Sequence, residues 1–192
     1  MEAVDIENII LEIRQRLVLR MNGVVAENMK SHGIAYRLNY GVSVPELKEI
    51  ASSYACDSSL AMELWKQECR ECRMLAAMLY PAEKFCADMA DIWISSIEYS
   101  DLADVCCKFL FQNMQDAAES AFRWIASDRE MYQYCGFMTM AHLLREGREI
   151  REKYVFELKD QAGEAVASDR VLSRQGASAA LGVFEQYYGG GK

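Results

Sequence analysis

Little in this 192-residue chain would stop a helix. It has two prolines, Pro45 and Pro81, and three of its eleven glycines are bunched at the C-terminus. Alternating β-branched runs are nearly missing, which argues against a sheet. No apolar run reaches the roughly 18–20 residues that span a bilayer, so no membrane association is expected. The start, Met1-Glu-Ala-Val-Asp5, lacks the basic segment of a secretion signal, and a cytoplasmic location is expected. Histidine is scarce: His32 and His142 lie too far apart in sequence to suggest a metal site. GxSxG, HExxH, P-loop and GxGxxG patterns are all missing, so the common hydrolase, metalloprotease and nucleotide-binding signatures are excluded. The expectation is therefore no metal and no cofactor.

Cysteine is plentiful but unpatterned. Cys56, Cys69, Cys72, Cys86, Cys106, Cys107 and Cys135 are odd in number and irregularly spaced, unlike a disulfide framework. Cys69-Arg-Glu-Cys72 has a suggestive spacing, but no second pair follows it. The cysteines read as small buried apolar residues.

What the chain does have is apolar surface, 52% of its residues, enough for one sizeable core. Its 21 bases and 29 acids give a net charge of −8, which opposes strong binding to nucleic-acid phosphates. The bases are uneven, however. Arg14, Arg16, Arg20, Lys30, Arg37 and Lys48 fall in a stretch with only Glu27 and Glu46. A local basic face carrying Lys30 and Arg37 is one reading, and a solvated helix face is the other.

Apolar residues recur at helical spacing almost throughout. Ile6, Ile9, Ile10, Ile13, Leu17 and Val18 form the first stripe. Ser43 with Glu46 predicts a capping box, and Asp57 or Ser58 a further helix start. Pro81 suits the first turn of another helix. Helices are also expected near 100–113, 115–127, 130–145, 149–166 and 170–187. Residues 1–188 read as one domain and Gly189-Gly-Gly-Lys192 as a flexible tail.

A weak repeat runs through this pattern. Trp65, Trp93 and Trp124, 28 and 31 residues apart, each lie near the end of one apolar helix and precede a second. Helix pairs at that interval predict an all-α fold, an α-α superhelix or solenoid of stacked helix pairs. An ordinary bundle with three core tryptophans is the alternative.

One carboxylate pair stands out. Asp101 and Asp104 are three residues apart at the start of a predicted helix and can share a face. Asp101 could cap that helix, and capping alone would explain the pair.

Several stretches resemble the AlkD-type DNA alkylation repair family. Tyr40-Gly-Val-Ser-Val-Pro-Glu-Leu-Lys-Glu-Ile-Ala51, with Met29-Lys30 upstream, resembles its Gly-hydrophobic-x-x-Pro-x-(Arg/Lys) helix start. Leu60-Ala-Met-Glu-Leu-Trp-Lys66 followed by Arg70-Glu-Cys-Arg-Met-Leu-Ala76 resembles a Leu-Trp, then Glu-x-(Arg/Lys)-x-Leu-Ala helix pair. Trp124-Ile-Ala-Ser-Asp128 resembles the opening of a later pair. The order and spacing of these motifs extend the likeness over residues 25–185.

The resemblance implies stacked HEAT-like helix pairs around a concave, positively charged groove that holds duplex DNA by its backbone. It implies glycosylases that excise 3- and 7-methylated purines without flipping the base into a pocket. In that chemistry a carboxylate stabilises positive charge developing on the deoxyribose. Tryptophans line the cleft and an arginine holds the backbone. The family's Trp-Asp-x-Val-Asp segment falls on Ser100-Asp101-Leu-Ala-Asp104, so Asp104 matches the catalytic carboxylate. Ser100 replaces the tryptophan, with Tyr99 beside it. The arginine falls on Tyr134, and the late tryptophan falls near Ala179.

One of four key side chains thus survives. Asp101, Tyr99, Tyr132, Tyr134, Lys30 and Arg37 remain groove candidates, the tyrosines as a replacement aromatic lining. Two functions stay open. One is a non-catalytic binding module for duplex or structured DNA or for a protein partner. The other is a glycosylase using Asp104.

Overall fold

The computed structural model describes residues 3–148 and 150–188. The predicted tail, 189–192, lies outside them. Among the described residues there are eleven α-helices and no strand; Leu38 and Cys69 make an isolated β-bridge. The fold is all-α. No described helix is long and apolar enough to cross a membrane. Contacts cluster into two compact units, residues 1–84 and 85–192.

The first unit holds α1 (Ala3–Leu19), α2 (Gly23–Ser31), α3 (Val44–Ala51), α4 (Ser58–Trp65) and α5 (Arg70–Leu79). The α1 stripe buries Ile6, Ile10, Ile13 and Leu17. Val18, expected in it, is 53% exposed, because a straight helix turns that position off the buried face. The Ser43 backbone N–H and hydroxyl both donate to the Glu46 carboxylate, at 3.0 and 2.6 Å, and start α3. Those bonds hold the Glu46 carboxyl below its ordinary value. Asp57 caps α4 by accepting from the Leu60 N–H at 2.9 Å. His32 closes α2, its Nδ1 2.8 Å from the Asn28 carbonyl.

A loop joins α2 to α3, and Glu71 on α5 stitches it down. Glu71 is fully buried. It accepts from the Tyr40 N–H at 3.1 Å, the Val42 N–H at 3.3 Å and Arg70 Nη1 at 3.0 Å. Arg70 also donates to the Val42 carbonyl at 3.1 Å. The loop runs so close to α2 that a Cβ on Gly41, at φ +69°, would sit 2.2 Å from the Asn22 carbonyl oxygen. Only glycine meets both demands.

The second unit holds α6 (Ala87–Ser95), α7 (Ser100–Phe109), α8 (Ala117–Ile125), α9 (Glu130–Arg145), α10 (Glu152–Val166) and α11 (Val171–Tyr188). Pro81 is expected in the first turn of another helix. It is followed instead by a single 3-10 turn, Ala82–Lys84, and α6 begins at Ala87. Phe85, Trp93, Phe111 and Trp124 make a continuous aromatic core, with centroids 4.9 Å apart for Phe85–Trp93 and 5.3 Å for Phe111–Trp124. Truncating either tryptophan to alanine would cost about 3–5 kcal/mol. α8 meets α9 at Gly136, where a Cβ would lie 2.6 Å from the Ala121 carbonyl oxygen.

Two of the expected pairs pack together, α4 with α5 and α8 with α9, while α6 and α7 are consecutive and both pack on α9; α4, α6 and α8 each end at or just past their tryptophan. α10 and α11 follow as a further pair. All seven cysteines are free thiols, and five are buried as expected. Cys56 and Cys86 are exposed, because Cys56 stands in a loop and Cys86 at the N-cap of α6 rather than on packed helix faces.

Candidate functional site

The candidate residues divide between the units. Lys30 on α2 and Arg37 in the following loop belong to the first, and both are exposed. Arg37 forms an ion pair with Glu68. Arg16 and Arg20 also face acids, Glu12 and Glu49. The basic stretch is therefore partly neutralised by its own neighbours. Exposed pairs of this kind contribute about 0–1 kcal/mol each.

Tyr99, Asp101, Asp104, Tyr132 and Tyr134 belong to the second unit. Tyr99 is the N-cap of α7 and half-buried. Asp101, a candidate cap, lies in the first turn instead, because the helix begins at Ser100 with Tyr99 as its cap. Its charge there still suits the positive helix end.

Asp104 is the fifth residue of α7, and Tyr134 is the fifth residue of α9. These corresponding positions in successive helix pairs come together. The Tyr134 hydroxyl donates to Asp104 Oδ1 at 2.6 Å. Tyr134 is 6% exposed, while Asp104 is half-buried. The tyrosine ring is fixed by α11: a Cβ on Gly176 would lie 3.2 Å from Tyr134 Cδ2. Burial pushes the Asp104 carboxyl above its ordinary value; the Tyr134 hydroxyl pulls it back, and the Asp101 charge raises it further. Burial also raises the Tyr134 phenol, and its bond to Asp104 adds to that.

Tyr132 goes elsewhere. Its hydroxyl donates to the Asp91 backbone carbonyl at 2.8 Å, and Arg129 covers its ring at 4.5 Å. The Asp91 carboxylate accepts from Trp124 Nε1 at 2.7 Å, and its two oxygens accept from Arg123 Nη2 at 3.1 and 3.0 Å. Sequence reading missed Asp91. Its partners lie 32 to 41 residues away, and the only local signal is its place two residues before Trp93. His142 is 9% exposed, and burial brings its pKa down to about 4. Among the described residues no three His, Cys, Asp or Glu side chains gather to hold a metal ion.

Chemically, Asp104 can present one negative charge that is incompletely satisfied by protein donors named here. Its partner is neutral. A phenol at this position positions the carboxylate but supplies no cation for a phosphate.

A model of the DNA alkylation repair enzyme family matches residues 13–177. No curated protein matches the sequence. Among solved structures, one described as a new family of proteins related to the HEAT-like repeat DNA glycosylases, with affinity for branched DNA structures, superimposes with a TM-score of 0.84 at 19% identity. The match covers 92% of this chain and 76% of that one. The likeness establishes the HEAT-like repeat fold expected from the sequence.

Proposed function

The chain belongs to the DNA alkylation repair enzyme family, and from that membership we propose that it is a non-catalytic member that binds branched or otherwise structured DNA. The observation that carries the reading is the Asp104–Tyr134 hydrogen bond. Where the resemblance calls for a backbone-holding arginine, a buried tyrosine ties up the one retained carboxylate. The tryptophan before Asp101 is Ser100, and the late tryptophan falls near Ala179. Stacking of about 1–3 kcal/mol per ring is lost with them. The similar solved structure's family has affinity for branched DNA, which supports the choice of ligand.

Retention of Asp104 favours a second reading, a glycosylase releasing 3- or 7-methylpurines with Asp104 as the catalytic carboxylate. The binding reading is tested by comparing a four-way junction with a linear duplex of equal length at 50 and 200 mM salt. The junction should bind more tightly, with affinity falling as salt rises. Failure to bind either at low salt would overturn it and direct the search to a protein partner.

A further inference from the structure

The first unit contains a cleft of about 630 Å³ lined by Arg14, Arg37, Lys66 and Arg73 with Glu68 as the one acid in its wall. That is an unusual gathering in a chain of net charge −8. The arrangement is partly rigid. The Arg73 guanidinium lies over the Trp65 ring at 5.6 Å, and its Nε donates to the Trp65 carbonyl at 3.2 Å. Arg14 donates from Nη2 to Gln67, another residue of the cleft wall, which holds its guanidinium in place. Cys69, the N-cap of α5, also lines the cleft.

The remaining bases are held loosely. Arg37 pairs with Glu68 and Lys66 with Glu63, and all four side chains are largely exposed. Such pairs contribute little, so an incoming multiply charged anion can displace them. The four bases less Glu68 and Glu63 leave two positive charges, one more than a single backbone phosphodiester neutralises. A phosphomonoester carries nearly two and offers three acceptor oxygens to forked guanidinium donors.

We propose that this cleft binds a terminal phosphate, a phosphomonoester carried by a DNA strand end or by a free nucleotide. The site lies in the first unit and does not involve Asp104.

The test uses the full chain and two duplexes differing only in a 5′-phosphate or a 5′-hydroxyl. The phosphorylated duplex should bind at least tenfold more tightly. That gain should disappear in the Arg37→Gln/Lys66→Gln double variant, whose exposed positions leave folding intact. It should shrink in Arg73→Lys, which keeps the charge but loses the planar fork. It should also fall between pH 7.5 and 5.5, as the phosphate takes up its second proton near about pH 6. Adenosine monophosphate competing for the site would identify free nucleotides as ligands; failure to compete, with the phosphate gain intact, would identify strand ends. If both duplexes bind equally and adenosine monophosphate gives no calorimetric signal, the proposal is wrong. A phosphate gain unchanged in the double variant would sink it equally. If adenosine monophosphate binds while no DNA does, the DNA-binding reading fails and the cleft stands.

Discussion

Glu71 in the first unit and Asp104 in the second both lie in the N-terminal half of a helix that follows a tryptophan-marked partner, yet they are held in different ways. Glu71 is fully buried and accepts from two backbone N–H groups and the Arg70 guanidinium. Asp104 is half-buried and accepts from one neutral hydroxyl. The first arrangement spends its hydrogen bonds on fixing a loop. The second keeps a carboxylate under-satisfied at a position where burial works against its charge. The ionised form of such a group costs stability, which separates Asp104 from a staple like Glu71.

Substitutions can break or sharpen this contrast. The largest effect belongs to Glu71→Gln. It removes the carboxylate charge that faces the Arg70 guanidinium, 7% exposed, and denaturant unfolding should show a loss of about 3–5 kcal/mol. Next comes Asp91→Ala, which deprives the buried Trp124 indole N–H of its acceptor and removes the Arg123 contacts. Chemical denaturation should report about 1–3 kcal/mol lost. A result as large as that for Glu71 would place Asp91 among the staples. Tyr134→Phe should cost about 1–2 kcal/mol. It should also raise the Asp104 pKa further, since the hydroxyl's hydrogen bond lowers it; carboxyl-detected NMR titration reads this directly.

The smallest effect has the opposite sign. The folded pKa of Asp104 is raised, so the native state prefers the neutral form, and the ionised form costs stability at neutral pH. Asp104→Asn should therefore match or slightly exceed the wild-type melting temperature at pH 7. The advantage should shrink as pH falls through the carboxylate range and the wild-type side chain becomes neutral. A melting temperature clearly below wild type at pH 7 would make Asp104 a structural residue like Glu71.

Much of the scaffold was legible because its signals are local. The Ser43–Glu46 box, the Asp57 cap and the three tryptophan-marked helices need only a few neighbouring residues to specify. Errors arose where a local signal had two outcomes. Pro81 opens a 3-10 turn as readily as an α-helix, and Tyr99 rather than Asp101 occupies the cap of α7. The site was legible in parts. Asp104 and Tyr134 were each named, but their bond joins corresponding turns of helices 30 residues apart. The basic cleft was half visible, through Arg14 and Arg37. Lys66 and Arg73 join it through the placing of α4 and α5, which no spacing in the chain expresses.

The most direct measurement is release of 7-methylguanine from alkylated duplex DNA, with wild type, Asp104→Asn and a no-protein control in parallel. The account expects wild type and the variant to match the control. Release by wild type that collapses in Asp104→Asn would contradict it and make Asp104 the carboxylate of a working glycosylase.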